Sequence, residues 1–327
     1  MRSSGRWSQQ VIVSALFVLL FIGLALALPG FRQVDNLLTL IQNVSILGIL
    51  GLGMAVIVIG RGVDLSMIAA LCIPPALLLQ LVQDGHGIAF ALMAALALTV
   101  AFGVLNGWLI AYAEVPALFV TLASGLFLAG LGQAFFFQLE TVQWPPGPAT
   151  LDVIASVGRG RLLGVPASVW MLGVTLLLMA AYLRWFTLGA YVYAMGDNPQ
   201  GARTAGIPTR PMLLLQYVSS ALIAAFAGLV LAASLGSLST RIFNSTLIYD
   251  VILVVVLGGI GLSGGRGGVS NVLIGTLLIG TLLNGLTILD VGYSVQNLVK
   301  GLVLLAAIVI DTFLNPRNEE TAQQGDI

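Results

Sequence analysis

The chain has 327 residues, of which 8% are charged and 58% are apolar, with a mean hydropathy of +1.04. Soluble domains carry roughly 25% charged residues, so there is too little polar side chain here to cover a water-facing surface, and the apolar richness excludes disorder. Lys and Arg total 13, as do Asp and Glu, and a formal net charge of zero offers no field to a nucleic acid; the lipid bilayer is the solvent that suits this composition.

A membrane-crossing helix needs about 20 mainly apolar residues, because unpaired backbone groups in about 30 Å of hydrocarbon cost several kcal/mol each. Stretches that qualify lie at 11–28, 37–60, 65–83, 88–112, 116–138, 167–186, 212–235, 247–262, 268–288 and 294–314. The expected fold is all-α: a polytopic transmembrane helical bundle of about ten spans, forming one domain over 1–327. The first stretch follows Arg2 and Arg6 as a signal peptide would. Because Ala25-Leu26-Ala27 runs into Leu28-Pro29 and further spans follow, it is read as a retained helix. In the third, Pro74-Pro75 removes two ladder donors and predicts a kink, read as a bend with a gate as the alternative. Small residues in Gly48-Ile49-Leu50-Gly51-Leu52-Gly53 and Gly103-Val104-Leu105-Asn106-Gly107 predict close backbone packing. Cys72 has no second cysteine to pair with and reads as a small apolar helix residue.

The largest gaps, 139–166 with its turn run Trp144-Pro145-Pro146-Gly147-Pro148, and 187–211, are too short for cores of their own. With the N-terminus inside, Arg2, Arg6, Arg61, Arg184, Arg203, Arg210, Arg266 and Arg317 fall on the cytoplasmic side. Arg32, Arg159, Arg161, Arg241 and Lys300 then fall outside. This bias orients both termini toward the cytoplasm, places 139–166 outside and leaves 187–211 inside. Gly62-Val63-Asp64-Leu65-Ser66 and Gly259-Ile260-Gly261-Leu262-Ser263 share a GxxLS pattern at two inner helix ends, of the kind an internal duplication would leave.

The chemistry of soluble enzymes is missing. One His excludes an HExxH zinc site, and the one Lys, Lys300 preceded by Val299, excludes a phosphate loop of the GxxxxGK[ST] type. No cofactor or metal is expected, the chain is read as no enzyme, and any ATP dependence must come from a partner. Gly261-Leu262-Ser263-Gly264-Gly265 satisfies GxSxG and the GxSG of rhomboid-type proteases, yet the only available base, His86, is expected on the opposite membrane face. A proton or ion path needs buried ionisable groups. Asp64, Glu114, Asp250, Asp290 and Asp311 are the candidates, and each is expected at a solvated helix end.

The segment 195–211 carries a local signal. Asn198 is an N-cap residue, Pro199 suits the first helical position, Gly206 suits a left-handed stop, Ile207 can fold back in an apolar contact, and Pro208 prevents continuation. A helix of about two turns with Ala202, Arg203 and Ala205 is too short to stand alone in water, so either its own bundle or another protein holds it.

That segment, from Gly196 to Ile207, resembles the "GxNxxAARLAGI" stretch of the ribose-type ABC importer permeases. Gly60-Arg61-Gly62-Val63-Asp64-Leu65-Ser66 resembles their GGIDLSVG signature, with Met67 and Ile68 departing from its Val and Gly. Asn106-Gly107 through Val115-Pro116-Ala117-Leu118-Phe119-Val120-Thr121-Leu122-Ala123 resembles NG...vPxFIVTLA. Val255-Val256-Leu257-Gly258-Gly259 with Ser263-Gly264-Gly265-Arg266-Gly267 resembles VVLGG...GGxGs, and Val299-Lys300-Gly301-Leu302-Val303-Leu304-Leu305-Ala306-Ala307 fits the tail. The matches run in order over about 37–312.

The resemblance implies a bacterial inner-membrane permease that pairs with a second permease copy, as a homodimer or heterodimer, and with cytoplasmic ABC ATPase subunits. It would receive solute from an extracytoplasmic sugar-binding protein. In that picture the helix at about 198–206 is the coupling helix, formed by Asn198, Pro199, Ala202, Arg203, Ala205 and Gly206, with Arg203 a rim contact. A monosaccharide path needs a few hydrogen-bond partners and no tight site. Asn43, Asn106, Thr121 and Ser124 are the candidates, Asn106 and Thr121 foremost, while Asp64 is read as bracing a helix end. The expected function is an importer permease for a monosaccharide or small polyol; the alternative is a secondary sugar carrier without an ATPase, with a rhomboid-like protease a distant third.

Overall fold

The computed structural model describes residues 9–136, 141–145 and 160–314. Arg2, Arg6, Arg159, Arg317, residues 146–148 and most of the 139–166 loop lie outside the described residues. The helices are α1 Gln9–Ala27, α2 Val34–Ile59, α3 Met67–Gln83, α4 Ile88–Ala111, α5 Ala117–Leu131, α6 Ala167–Trp185, α7 Thr187–Asp197, α8 Pro199–Thr204, α9 Thr209–Leu235, α10 Leu247–Leu257, α11 Val269–Ile288 and α12 Tyr293–Leu314. Four strands of two or three residues are the only extended pieces among the described residues: β1 Thr141–Gln143, β2 Arg161–Leu162, β3 Val165–Pro166 and β4 Ser237–Ser239.

Every stretch read as a span contains a helix, but the count of ten needs qualifying. Seven helices are long and apolar enough to cross a membrane: α1, α2, α4, α5 extended to Ala134, α6, α9 and α11. Three apolar helices are shorter, α3, α10 and α12 as far as Val309. At 1.5 Å per residue, α10 with its 11 residues rises only about 16 Å. The stretch read as 247–262 ends early because the chain turns at Gly258 and takes a left-handed conformation at Gly259. The 187–211 gap also holds more helix than expected, since α7 precedes α8.

Helix α2 is the axis of the bundle, and its glycines are where neighbours approach. A Cβ at Gly48 would meet Leu172 of α6, one at Gly51 would meet Val272 of α11 and Val254 of α10, and one at Gly53 would meet Met67 of α3 and Ile223 of α9. Gly103 and Gly107 lie directly on the α9 backbone at Val218 and Leu214, so the small residues of α4 have their partner. Close van der Waals packing of this kind replaces the water-driven force that is missing in lipid. Helix α3 continues through Pro74 and Pro75. Pro75 leaves the Leu71 carbonyl without its ladder donor, and the α carbon of Gly228 in α9 packs against that oxygen.

The connections gather at two ends. At one end, the loops around 60–66, 195–198 and 258–268 touch one another, and Arg210 reaches Glu114 in the α4–α5 turn. At the other, β1 pairs antiparallel with β4, Trp144 N–H donates to the Gly236 carbonyl at 2.9 Å, Asn36 and Asn284 pair through both amide groups, and Thr246 meets Tyr293. Since α3 leads from the first end to the 84–87 turn, His86 and Ser263 stand at opposite ends, as the sequence reading expects.

Candidate functional site

The short helix α8 has the caps its sequence calls for. Asn198 is extended, and its Oδ1 accepts the Gly201 N–H at 2.8 Å; Pro199 follows as the first helical residue. At the far end Gly206 takes φ +81°, its N–H donates to Arg203 O and the Ile207 N–H donates to Ala202 O, both at 3.0 Å. These two bonds make a Schellman stop, which satisfies carbonyls that a six-residue helix would otherwise leave bare. Ile207 turns back onto the core as the apolar partner. Ala202, 4% exposed, faces the bundle, whereas Arg203, Thr204, Ala205 and Gly206 are exposed. The helix is therefore seated on its own protein along one edge and open along the other.

Beneath α8 lies a joint of three loops. Helix α2 ends in a second Schellman stop, with Gly62 N–H on Ile57 O at 2.8 Å and Arg61 N–H on Val58 O at 3.0 Å. Here the left-handed residue is Arg61, at φ 68°, a conformation that disfavours a side chain by about 1–2 kcal/mol. The guanidinium compensates: Nε donates to the Ser263 carbonyl at 2.6 Å and Nη2 to the Asp197 carbonyl at 3.1 Å. The Gly265 N–H donates to Ile59 O at 2.8 Å, and Tyr193 Oη donates to Gly267 O at 2.8 Å. Gly196 packs on the Ile59 carbonyl so closely that a Cβ has no room. Arg61, just before the first GxxLS segment, thus meets Ser263 at the end of the second, and the GxSxG glycines serve the turn.

Deeper in the bundle, Asp64 corrects the expectation of a solvated helix end, being 2% exposed. One carboxylate oxygen accepts the Ser66 N–H at 3.0 Å and the Ser66 hydroxyl; the other accepts the Ser220 hydroxyl of α9 at 2.7 Å. Asn106 of α4 donates from Nδ2 to Ser66 Oγ at 2.9 Å, while its buried Oδ1 has no hydrogen-bond partner. Ser220 lies 11 residues into α9, about 16 Å along its axis. Thr121 and Ser124 are buried in α5, each donating its hydroxyl to a carbonyl of its own helix. Gly125 of α5 lies against Ser66. Asn106 and α5 therefore converge on the α2–α3 loop, whereas Asn43 is exposed near the other end of α2.

Asp250 departs from the sequence expectation in the same way, being 7% exposed, and Lys300 of α12 is buried beside it. Their ion pair is 2.9 Å long, and Thr246 links it to Tyr293 and Asn297. Glu114 and Asp290 are exposed as expected, and the Asp311 side chain lies outside the described residues. The sequence reading did not single out Arg61 as a clamp, Ser220 as the Asp64 partner, or Gln216, whose buried amide lies on Gly60 with neither Oε1 nor Nε2 hydrogen-bonded. Sequence order separates these residues by more than a hundred positions, and only the adjacent glycines hinted at close contact. No group of three His, Cys, Asp or Glu able to hold a metal occurs among the described residues.

The family described as branched-chain amino acid transport system / permease component matches residues 36–308. The ribose import permease protein RbsC of Escherichia coli strain K12 is 33% identical over 306 residues, covering 93% of both chains. The fructose import permease protein FrcC of Rhizobium meliloti is 30% identical, covering 91% of this chain and 84% of its own. The autoinducer 2 import system permease protein LsrC of Escherichia coli strain K12 / DH10B is 31% identical, covering 90% and 85%. No solved structure matches the chain.

Proposed function

Because the chain belongs to the ribose-type ABC importer permeases and is the transmembrane permease subunit of an ABC sugar importer, we propose that α8 is the coupling helix through which partner ATPases drive it. The observation that carries this reading is the division of α8 into a seated edge and an open edge. Ala202 and Ile207 fix it to the bundle, which leaves Arg203, Ala205 and Gly206 as a small, cation-rimmed surface for a cleft on the ATPase. Asn198 and Pro199 set where that surface begins.

The chain works as one of two permease copies, with ten spans, both termini and α8 in the cytoplasm, and β1 and β4 on the side that receives solute from a binding protein. Arg61, Arg184, Arg203, Arg210 and Arg266 then lie on the cytoplasmic side, as the retention of cations there requires. The solute is a monosaccharide or similar polyol, in keeping with relatives named for ribose, fructose and autoinducer 2 rather than with the amino-acid wording of the family description. Asn43 and the free Oδ1 of Asn106 offer polar atoms to passing hydroxyls. Thr121 and Ser124, whose hydroxyls are engaged on their own helix, contribute a small-residue wall.

Arg203→Glu together with Ala205→Trp places the wrong charge and excess volume on the open edge. The expected result is normal insertion, loss of ATPase co-purification and loss of uptake by at least tenfold. Normal docking and uptake in that variant contradict the assignment of α8.

A further inference from the structure

Residues 60–66 join α2 to α3, and both ends of this loop are fastened to other elements. At the α8 end, Arg61 holds the Asp197 carbonyl, immediately before the Asn198 cap, and the Ser263 carbonyl of the α10–α11 turn. At the deep end, Asp64 receives the Ser220 hydroxyl of α9, and Ser66 receives Asn106 of α4 with Gly125 of α5 against it. At the start of the loop, Gly60 packs on the unpartnered amide of Gln216. A buried amide without partners costs about 1–3 kcal/mol, a cost relieved by any shift of the loop that brings a partner to it. Helix α8 is continuous with α7 and α9 only, yet the polar residues of α4 and α5 must also respond to it.

We propose that residues 60–66 form a transmission strap, with Arg61 and Asp64 as positioning residues, that carries displacement of α8 to the α4, α5 and α9 residues around Ser66. The proposal rests on α8 being the coupling helix. Asp64 acts as a hydrogen-bond acceptor that keeps three helices in register, and it carries no proton across the membrane. Arg61 acts through its two carbonyl contacts, pulling on the loop when the Asp197 peptide moves.

The test uses the permease reconstituted with its ATPase and sugar-binding protein, reading solute moved per ATP hydrolysed. Asp64→Asn keeps an acceptor for Ser66 and an amide that can pair with Ser220, so the ratio stays within about twofold; Asp64→Ala removes the acceptor and lowers it at least tenfold while the ATPase still co-purifies. Arg61→Gly keeps the left-handed turn and deletes the clamp, and Ser220→Ala cuts the other end without touching the carboxylate; these two cover the case in which Asp64→Ala does not fold. Each lowers the ratio about threefold, and the double variant is no worse than the poorer single, because both cut one strap. Loss of transport in Asp64→Asn as complete as in Asp64→Ala overturns the proposal in favour of proton transfer. An unchanged ratio in Arg61→Gly and Ser220→Ala, or effects that multiply, overturns the strap itself. Retained ATPase docking separates these outcomes from failure of the α8 reading, in which the Arg203→Glu, Ala205→Trp variant docks normally.

Discussion

Asp64 and Asp250 are both carboxylates buried in a lipid-facing bundle, and the two ends of the molecule accommodate them differently. Near α8, Asp64 sits among neutral donors: one backbone N–H and the hydroxyls of Ser66 and Ser220. Near the opposite end, Asp250 faces the ammonium of Lys300 at 2.9 Å, fixing α10 to α12. Neutral donors let a carboxylate be exchanged for its amide, and they can release and re-form as helices shift. An ion pair in low dielectric cannot lose one member without stranding the other. The Asp64 region thus suits a joint that moves, and the Asp250 region suits one that holds.

The largest effect is expected where that contrast is sharpest. Asp250→Ala strands Lys300 and should cost about 3–5 kcal/mol, whereas Asp250→Leu with Lys300→Met should recover most of the loss, as replacement of buried pairs by apolar residues does. Thermal unfolding in detergent measures both, and a double variant no more stable than the single breaks the comparison. Next comes Asp64→Ala, which leaves buried donors unsatisfied and should cost about 1–3 kcal/mol, against less than about 1 kcal/mol for Asp64→Asn. Equal losses in the two would mean that charge, and not acceptance, is what Asp64 supplies. The smallest effect belongs to Arg210→Ala: its pair with Glu114 is 2.9 Å long but 52% and 68% exposed, so stability should change by less than about 1 kcal/mol.

What the sequence disclosed was local. Asn198, Pro199, Gly206 and Ile207 each act within a few residues of themselves, and α8 has the caps they announce. Apolar stretches located the helices, although the early end of α10 was hidden because Gly258-Gly259-Ile260-Gly261-Leu262 remains apolar after the helix has stopped. The pairings between distant segments were not legible. Nothing in the order of residues joins Asp64 to Ser220, 156 positions away, or Arg61 to Ser263, 202 positions away. Arg61 was harder still to find, since it stands at a position where the GGIDLSVG signature has glycine, and a glycine would have explained the left-handed turn without any clamp. The burial of Asp64 and Asp250 was missed because closeness to a helix end in sequence does not reveal how far that end is sunk into the bundle.

If solute moves only when a nucleotide-hydrolysing partner acts on α8, sealed vesicles containing the permease, its ATPase and its binding protein will accumulate labelled monosaccharide against a gradient, and that accumulation will require both ATP and the ATPase. Equal accumulation by vesicles holding the permease alone, driven by an ion gradient, would contradict that requirement.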